Sequence, residues 1–243
     1  SYFLEITDRL GSKFDDFIYE SEAGEIGKKL VLENLGKIYE ESENAVVYKG
    51  EKDGLHTRVF INAEGYPTYE AKDIGLLWMK FERYNPDISI LVTDNQQTST
   101  FGVVLKSSEE INKTWSDRTI HRTHGRMSFK GQKMSSRLGG VPTAVEILQS
   151  ILEEVSDRSS LGKEEQDAIA ISALKFTILK TMAGKDINFD PETSLSFEGD
   201  SGPYLQYTNA RINSVLEKAK DINLEPSLSS DLELTTEVEK LVV

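Results

Sequence analysis

Cysteine is absent from the 243-residue sequence, so neither a disulfide framework nor a thiolate metal site can form. No apolar run approaches the roughly 18 residues that a transmembrane helix needs, and no secretory signal opens the sequence. A reducing compartment fits the lack of cysteine. We therefore expect a cytoplasmic protein that has no membrane partner.

Positive charge is also scarce. The sequence has 28 basic and 41 acidic residues, which gives a net charge of −13. This balance argues against a protein that binds nucleic acid by charge alone, because such proteins normally carry a basic footprint. A local basic patch does occur between residues 118 and 137, and its members are Arg118, Arg122, Arg126, Lys130, Lys133 and Arg137.

Hydrophobic spacing predicts an α/β protein whose later part is mostly helical. Helices are predicted at 21–40, 68–84, 100–110, 142–155, 164–183 and 204–219. A hairpin is predicted at 44–62, strands at 87–93 and 119–129, and a turn at 186–190. In an open α/β sheet, ligands bind beyond the carboxyl ends of the strands, which is where residues 94–97 would lie.

The segment 125–140, which we call the signature loop, concentrates cations, glycines and serines in an otherwise acidic chain. Glycine lets the backbone turn sharply and approach a ligand. Serine hydroxyls and lysine can bind phosphate oxygens. The composition therefore suits a loop that closes over a polyphosphate, although a solvated basic turn is the alternative for a short motif alone.

Tyr69 and Asp73 are four residues apart on a predicted helix, so they share one face. Asp73 could accept two hydrogen bonds from a guanidinium, and Tyr69 could stack on that cation. The structural alternative is a carboxylate near a helix start beside a half-buried aromatic ring.

Three stretches together resemble a known family. Lys133-Met134-Ser135-Ser136-Arg137 resembles the KMSKS signature of class I aminoacyl-tRNA synthetases. The stretches 65–75 and 200–211 resemble arginyl-tRNA synthetases, and the three occur in the family's order. The resemblance runs from about residue 14 to the C-terminus. It implies the second half of a class I Rossmann-like catalytic domain followed by a helical region.

The resemblance also implies a reaction and its site. The arginine carboxylate would attack the α-phosphate of ATP, pyrophosphate would leave, and the arginine tRNA would accept the aminoacyl group. Magnesium would accompany ATP, and no resident metal is expected. The implied arginine-binding residues are Tyr69, Asp73 and Gln97. The implied ATP-binding residues are Lys130, Lys133, Met134 and Ser135, and the implied catalytic residues are Lys133, Ser135, Ser136 and Arg137.

The chain departs from the family pattern at two places. Ser136 stands where the signature usually has its more important lysine, and Arg137 or Lys130 is the candidate substitute. The family's His-x-Gly-His motif is missing, since none of the three histidines fits it. His121-x-x-His124 is weak evidence for a metal site, and polar residues at a strand end are the simpler interpretation.

These departures suggest a fragment that is inactive alone and belongs to an enzyme that is monomeric when intact. Its expected parts are a helical and hairpin insertion or connective segment at 1–62, the second half of the catalytic domain at 63–200, and the start of a helical anticodon-binding domain at 201–243. One alternative is a non-catalytic synthetase-like module that binds tRNA or a protein partner. Another is a generic α/β nucleotide binder.

Overall fold

The computed structural model of the chain describes residues 2–129, 132–133 and 143–222. The helices of these ranges are α1 Tyr2–Arg9, α2 Glu20–Glu33, α3 Tyr69–Tyr84, α4 Thr98–Ile111, α5 Lys113–Asp117, α6 Ala144–Arg158, α7 Lys163–Leu179, α8 Pro191–Ser194 and α9 Gly202–Asp221. The strands are β1 Glu40–Ser42, β2 Ala45–Tyr48, β3 Arg58–Ile61, β4 Ser89–Asp94, β5 Thr119–His124, β6 Met127–Phe129, β7 Gln132–Lys133 and β8 Ile187–Phe189.

Helix α2 is shorter than predicted. It ends at Glu33, and Asn34 is its C-cap. Gly36 then adopts a φ of +78°, a left-handed conformation that glycine tolerates and that a helix cannot contain. Residues 34–39 therefore form a turn that leads into β1, although their apolar spacing predicted a continuing helix.

The predicted hairpin is confirmed. Strands β1, β2 and β3 form an antiparallel sheet in that order. Three buried aromatic side chains, Tyr39, Tyr48 and Phe60, pack under this sheet, with the rings of Tyr39 and Phe60 centred 4.9 Å apart. This cluster belongs to the same core as Ile74 and Leu77 of α3, so the hairpin and α3 are packed as one unit.

Strands β4 and β5 form the parallel pair that an α/β fold requires, and α4 connects them. The register runs from Ser89 opposite Thr119 to Asp94 opposite His124. Parallel sheets are normally covered on both faces. Here Ile90 and Val92 are 58% and 65% exposed, so one face of this pair carries bare apolar side chains.

The long strand predicted at 119–129 is two strands interrupted at Gly125. A Cβ on that residue would lie 2.0 Å from the carbonyl oxygen of Lys185, so only glycine permits this contact. The turn predicted at 186–190 is wrong, because β8 occupies 187–189 and pairs in parallel with β6. β6 also pairs with β7, in an antiparallel hairpin.

A second core lies among α6, α7 and β8, and Leu148, Ile151, Ala173 and Phe189 are among its buried residues. Arg9 of α1 forms an ion pair with Asp167 of α7, which holds the N-terminal helix against this part. Among the helices of the described ranges, none combines the length and the apolar character that a bilayer crossing demands.

Candidate functional site

Helix α3 begins at a position that β3 fixes. The Thr68 N–H donates to the carbonyl of Phe60 at 2.9 Å, and the Thr68 hydroxyl donates to the carbonyl of Val59 at 2.7 Å. Tyr69 is therefore the first residue of the helix, and Asp73 lies one turn later on the same face. The two predicted arginine-binding residues of α3 are adjacent, as their spacing indicated.

The Asp73 carboxylate is half-buried, and Tyr69 beside it is 70% exposed. No hydrogen bond or ion pair of the Asp73 side chain occurs among the described residues. Burial, together with the nearby Glu70 and Glu20, raises the pKa of Asp73 to about 7, and Lys72 opposes this rise. A cation that supplied hydrogen bonds would reverse this shift, because it would favour the charged form.

Arg58 of β3 joins the N-terminal ends of α3 and α4. Its guanidinium donates to the Ser99 hydroxyl at 3.1 Å and lies 3.7 Å from the Glu70 carboxylate. Tyr69 precedes Glu70, and Gln97 lies two residues before Ser99. Tyr69 and Gln97 therefore lie at the N-terminal ends of the two helices that Arg58 joins, and the Gln97 side chain is exposed to solvent.

A second junction joins the carboxyl ends of β4 and β5. The Arg126 guanidinium donates to Asp94 at 3.0 Å and also to the Gln96 side chain. The backbone N–H of Gln96 and, less strongly, Arg126 lower the pKa of Asp94. The Arg126 N–H donates to the Asp186 carboxylate at 2.9 Å. Arg126 thus links the strand end beside Gln97 to the beginning of the signature loop.

Only part of the signature loop is described. Lys133 is the last residue of β7, where its backbone pairs with Ser128 of β6. The remaining predicted ATP-binding and catalytic residues lie outside the described residues, and they are Lys130, Met134, Ser135, Ser136 and Arg137. Their roles stay predictions.

The two histidines of the strand-end pattern have local partners. The His121 ring lies 2.7 Å from the Thr93 hydroxyl and stacks on Phe101 at 4.6 Å, while His124 Nδ1 lies 2.8 Å from the carbonyl oxygen of Gly125. Residues three apart on a strand point to opposite faces. In the described part of the chain, no three carboxylate or imidazole side chains group in a way that would hold a metal ion.

Sequence reasoning missed Arg58, Glu20 and Lys72. Lys72 pairs with Glu20 at 2.8 Å, so α2 contributes an acidic side chain beside Asp73. These contacts join residues distant in the sequence, and no local spacing signals them.

Comparison with known proteins shows which proteins the chain is similar to. The chain is 33% identical over 255 residues to the arginine–tRNA ligase of Phocaeicola vulgatus, an alignment that covers 99% of this chain and 42% of the relative. It is 30% identical over 229 residues to that of Amoebophilus asiaticus, covering 89% of this chain and 38% of the relative. The chain is homologous to part of the arginyl-tRNA synthetases.

Solved arginyl-tRNA synthetases share the fold. The Thermus thermophilus structure superposes with a TM-score of 0.73 at 23% identity. The alignment covers 98% of this chain and 47% of the Thermus structure. The Plasmodium falciparum structure also superposes with a TM-score of 0.73, at 18% identity. That alignment covers 98% of this chain and 42% of the Plasmodium structure. The α/β fold class of the arginyl-tRNA synthetase region is thereby confirmed.

The chain spans less than half the length of the arginyl-tRNA synthetases it matches. No protein-family model matches it.

Proposed function

We propose that the chain is part of an arginine–tRNA ligase and carries the portion that binds the arginine side chain. One observation supports this most: Asp73 is a half-buried carboxylate with no hydrogen bond or ion pair among the described residues, and an exposed aromatic ring lies one turn away. Desolvation of an unpaired carboxylate is costly, so such a group favours an incoming cation.

A guanidinium fits this geometry better than a simple ammonium. Asp73 would accept two parallel N–H bonds from it, and the Tyr69 ring would lie against its planar face. Gln97, across the Arg58 junction, would add a polar contact. Binding would keep Asp73 ionised, because the charge-assisted hydrogen bonds lower its pKa.

The signature loop would serve the ATP side of the reaction. Lys130, Lys133, Met134 and Ser135 would bind ATP, which would bring Mg²⁺ with it. Lys133, Ser135, Ser136 and Arg137 would stabilise negative charge on the departing pyrophosphate while the arginine carboxylate bonds to the α-phosphorus. One well-placed donor contributes on the order of 2.7–4 kcal/mol to such a step. The aminoacyl group would then pass to the arginine tRNA.

We infer that these 243 residues do not catalyse the reaction alone. The bare apolar face around Ile90 and Val92 supports this, because a parallel sheet needs cover on both faces. The intact ligase would be a monomer, with residues 63–200 in its catalytic domain and 201–243 at the start of its anticodon-binding domain.

Calorimetric titration of the purified chain with L-arginine tests the proposal. Wild-type protein should bind, and Asp73→Asn should weaken binding by roughly 1.5–3 kcal/mol, the scale of a charge-assisted hydrogen bond. Asp87→Asn, at an exposed position outside the junction, is the matched control. Equal affinity of the wild-type and Asp73→Asn proteins would make Asp73 a structural residue.

A second candidate function is a synthetase-like module without catalysis, which Ser136 in place of the usual lysine favours. Assembly of the chain with the portion of an arginyl-tRNA synthetase that it does not span separates the two functions. Arginine-dependent pyrophosphate exchange by the assembly supports the ligase. Assembly without exchange supports the module.

A further inference from the structure

We propose that Lys72 is a specificity-determining residue of the arginine site, a resident cation that disfavours lysine and other compact ammonium ligands. The inference rests on the proposed arginine site and adds a residue from the helix face between its two anchors. Lys72 lies directly before Asp73 and contacts Tyr69 as well as the neighbouring helix α2.

The Lys72 ammonium already holds the contacts that a small cation would seek. Its Nζ lies 2.8 Å from a carboxylate oxygen of Glu20 and 4.9 Å from the centre of the Tyr69 ring. The hydrogen bond to Glu20 raises the pKa of Lys72, so the side chain is charged at neutral pH. Only 27% of the side chain is exposed.

Helix packing fixes the position of this ammonium. The Cγ of Lys72 lies 3.5 Å from where a Cβ on Gly24 of α2 would be, so the stem of the lysine runs along that helix. Glu20 begins the same helix. Helices α2 and α3 are in intimate contact through Gly27 and Gly75, and the carboxylate partner of Lys72 therefore stays beside the site.

The distribution of free partners then separates the two kinds of ligand. A compact ammonium is stabilised by contact with an aromatic ring face and with one carboxylate. Lys72 already makes these contacts, with the Tyr69 ring and the Glu20 carboxylate. A guanidinium also forms a planar pair of hydrogen bonds to one carboxylate. Asp73 remains available for that pair, because its side chain makes no hydrogen bond or ion pair among the described residues.

The test compares L-arginine and L-lysine binding in the wild-type chain and in Lys72→Met. The affinity for lysine relative to that for arginine should be about tenfold higher in Lys72→Met than in the wild type. This is the scale of one freed cation–π contact. Lys29→Met removes the same charge from a 75% exposed side chain of α2 and should leave the arginine-to-lysine ratio unchanged.

The outcomes are distinguishable. If the affinities for arginine and lysine rise equally in Lys72→Met, then Lys72 repels both cations alike. The inference then fails while the arginine site stands. If the wild-type chain and both variants bind no arginine, the proposed function fails and takes the inference with it. Lys72→Gln, which keeps a polar side chain, repeats the measurement should the methionine variant melt at a lower temperature.

Discussion

Gly27 of α2 and Gly75 of α3 cross so closely that neither position has room for a methyl group. A Cβ on Gly27 would lie 1.8 Å from the carbonyl oxygen of Ala71, and a Cβ on Gly75 would lie 1.9 Å from that of Ala23. Small residues let two helix backbones approach in this way. The crossing sets the distance between Glu20 on one helix and Asp73 on the other.

Replacement of either glycine by alanine should therefore destabilise the protein. Both helices would have to move apart, and overpacking of this kind costs about 1–3 kcal/mol. Urea denaturation followed by circular dichroism measures the loss. Gly102→Ala, within α4, is the control, because its Cβ would make an ordinary 3.5 Å contact with the Leu55 side chain. That variant should be unchanged or slightly more stable, since alanine favours helix. Equal behaviour of all three variants would contradict the close crossing.

Asp73 should make the folded protein less stable as the pH rises from about 4 to 7. Its pKa is raised from 3.8 to about 7. Across that window the folded state holds a proton that the unfolded state has released, so folding stability falls with rising pH. Asp73→Asn removes this fall. Between pH 4.5 and pH 8, the free energy of unfolding of the variant should fall by about 1–2 kcal/mol less than that of the wild type. This figure is discounted for the solvent exposure of Asp73.

Urea unfolding of both proteins at the two pH values gives the comparison. Asp87→Asn should keep the wild-type pH dependence, because it lies outside the site. Parallel curves for the wild-type and Asp73→Asn proteins would mean that Asp73 is well solvated. If Asp73→Asn is more stable than the wild type and binds arginine poorly, then Asp73 lowers folding stability but is needed for arginine binding.

Local sequence patterns predicted the elements that hold the site. The apolar spacing after Pro67 gave α3 within one residue of its observed start at Tyr69, and a short apolar run gave the parallel strand β4. Each pattern lies within one element, where the side-chain period reports the buried face. Family resemblance, rather than spacing, indicated which side chains are expected to bind arginine.

Long-range contacts account for what the sequence did not show. The three residues of β8 resemble a turn in sequence. They form a strand because they pair with the edge of β6, which is distant in the sequence. Helix α2 ends at Glu33, shortly before Gly36, whose left-handed conformation no apolar spacing reports. Arg58 joins two helices that begin 29 residues apart, at Tyr69 and Thr98.

The Arg58 junction should matter more than its single ion pair suggests. Arg58→Met would leave Glu70, whose side chain is 13% exposed, without its cation and would free Ser99. Loss of a partner for a nearly buried carboxylate costs roughly 1–3 kcal/mol. Hydrogen exchange should quicken at the first turns of α3 and α4. Lys49→Met breaks an exposed pair with Glu40 and should cost less than about 1 kcal/mol. Equal losses in the two variants would show that Arg58 makes only a surface contact.

Arg126 should influence the titration of Asp94 without being its main cause. The Gln96 N–H contributes most to the lowered pKa of Asp94, and the Arg126 guanidinium contributes a further lowering. In Arg126→Met the pKa of Asp94 should therefore rise part of the way towards its usual range, because the backbone donor remains. Carbon-13 NMR of the aspartate carboxyls across pH 2–6 reports the change.

Arg122→Met supplies the control for Arg126→Met, because Arg122 also lies near the end of β5 and makes no ion pair with Asp94 in the described chain. It should leave the Asp94 titration unchanged. A full return of Asp94 to its usual pKa in Arg126→Met would mean that the Gln96 turn opens when Arg126 is lost. Arg126 would then hold the turn beside Gln97, and arginine affinity should fall in the same variant. An unchanged Asp94 titration would mean that the guanidinium does not bind at this strand end in solution.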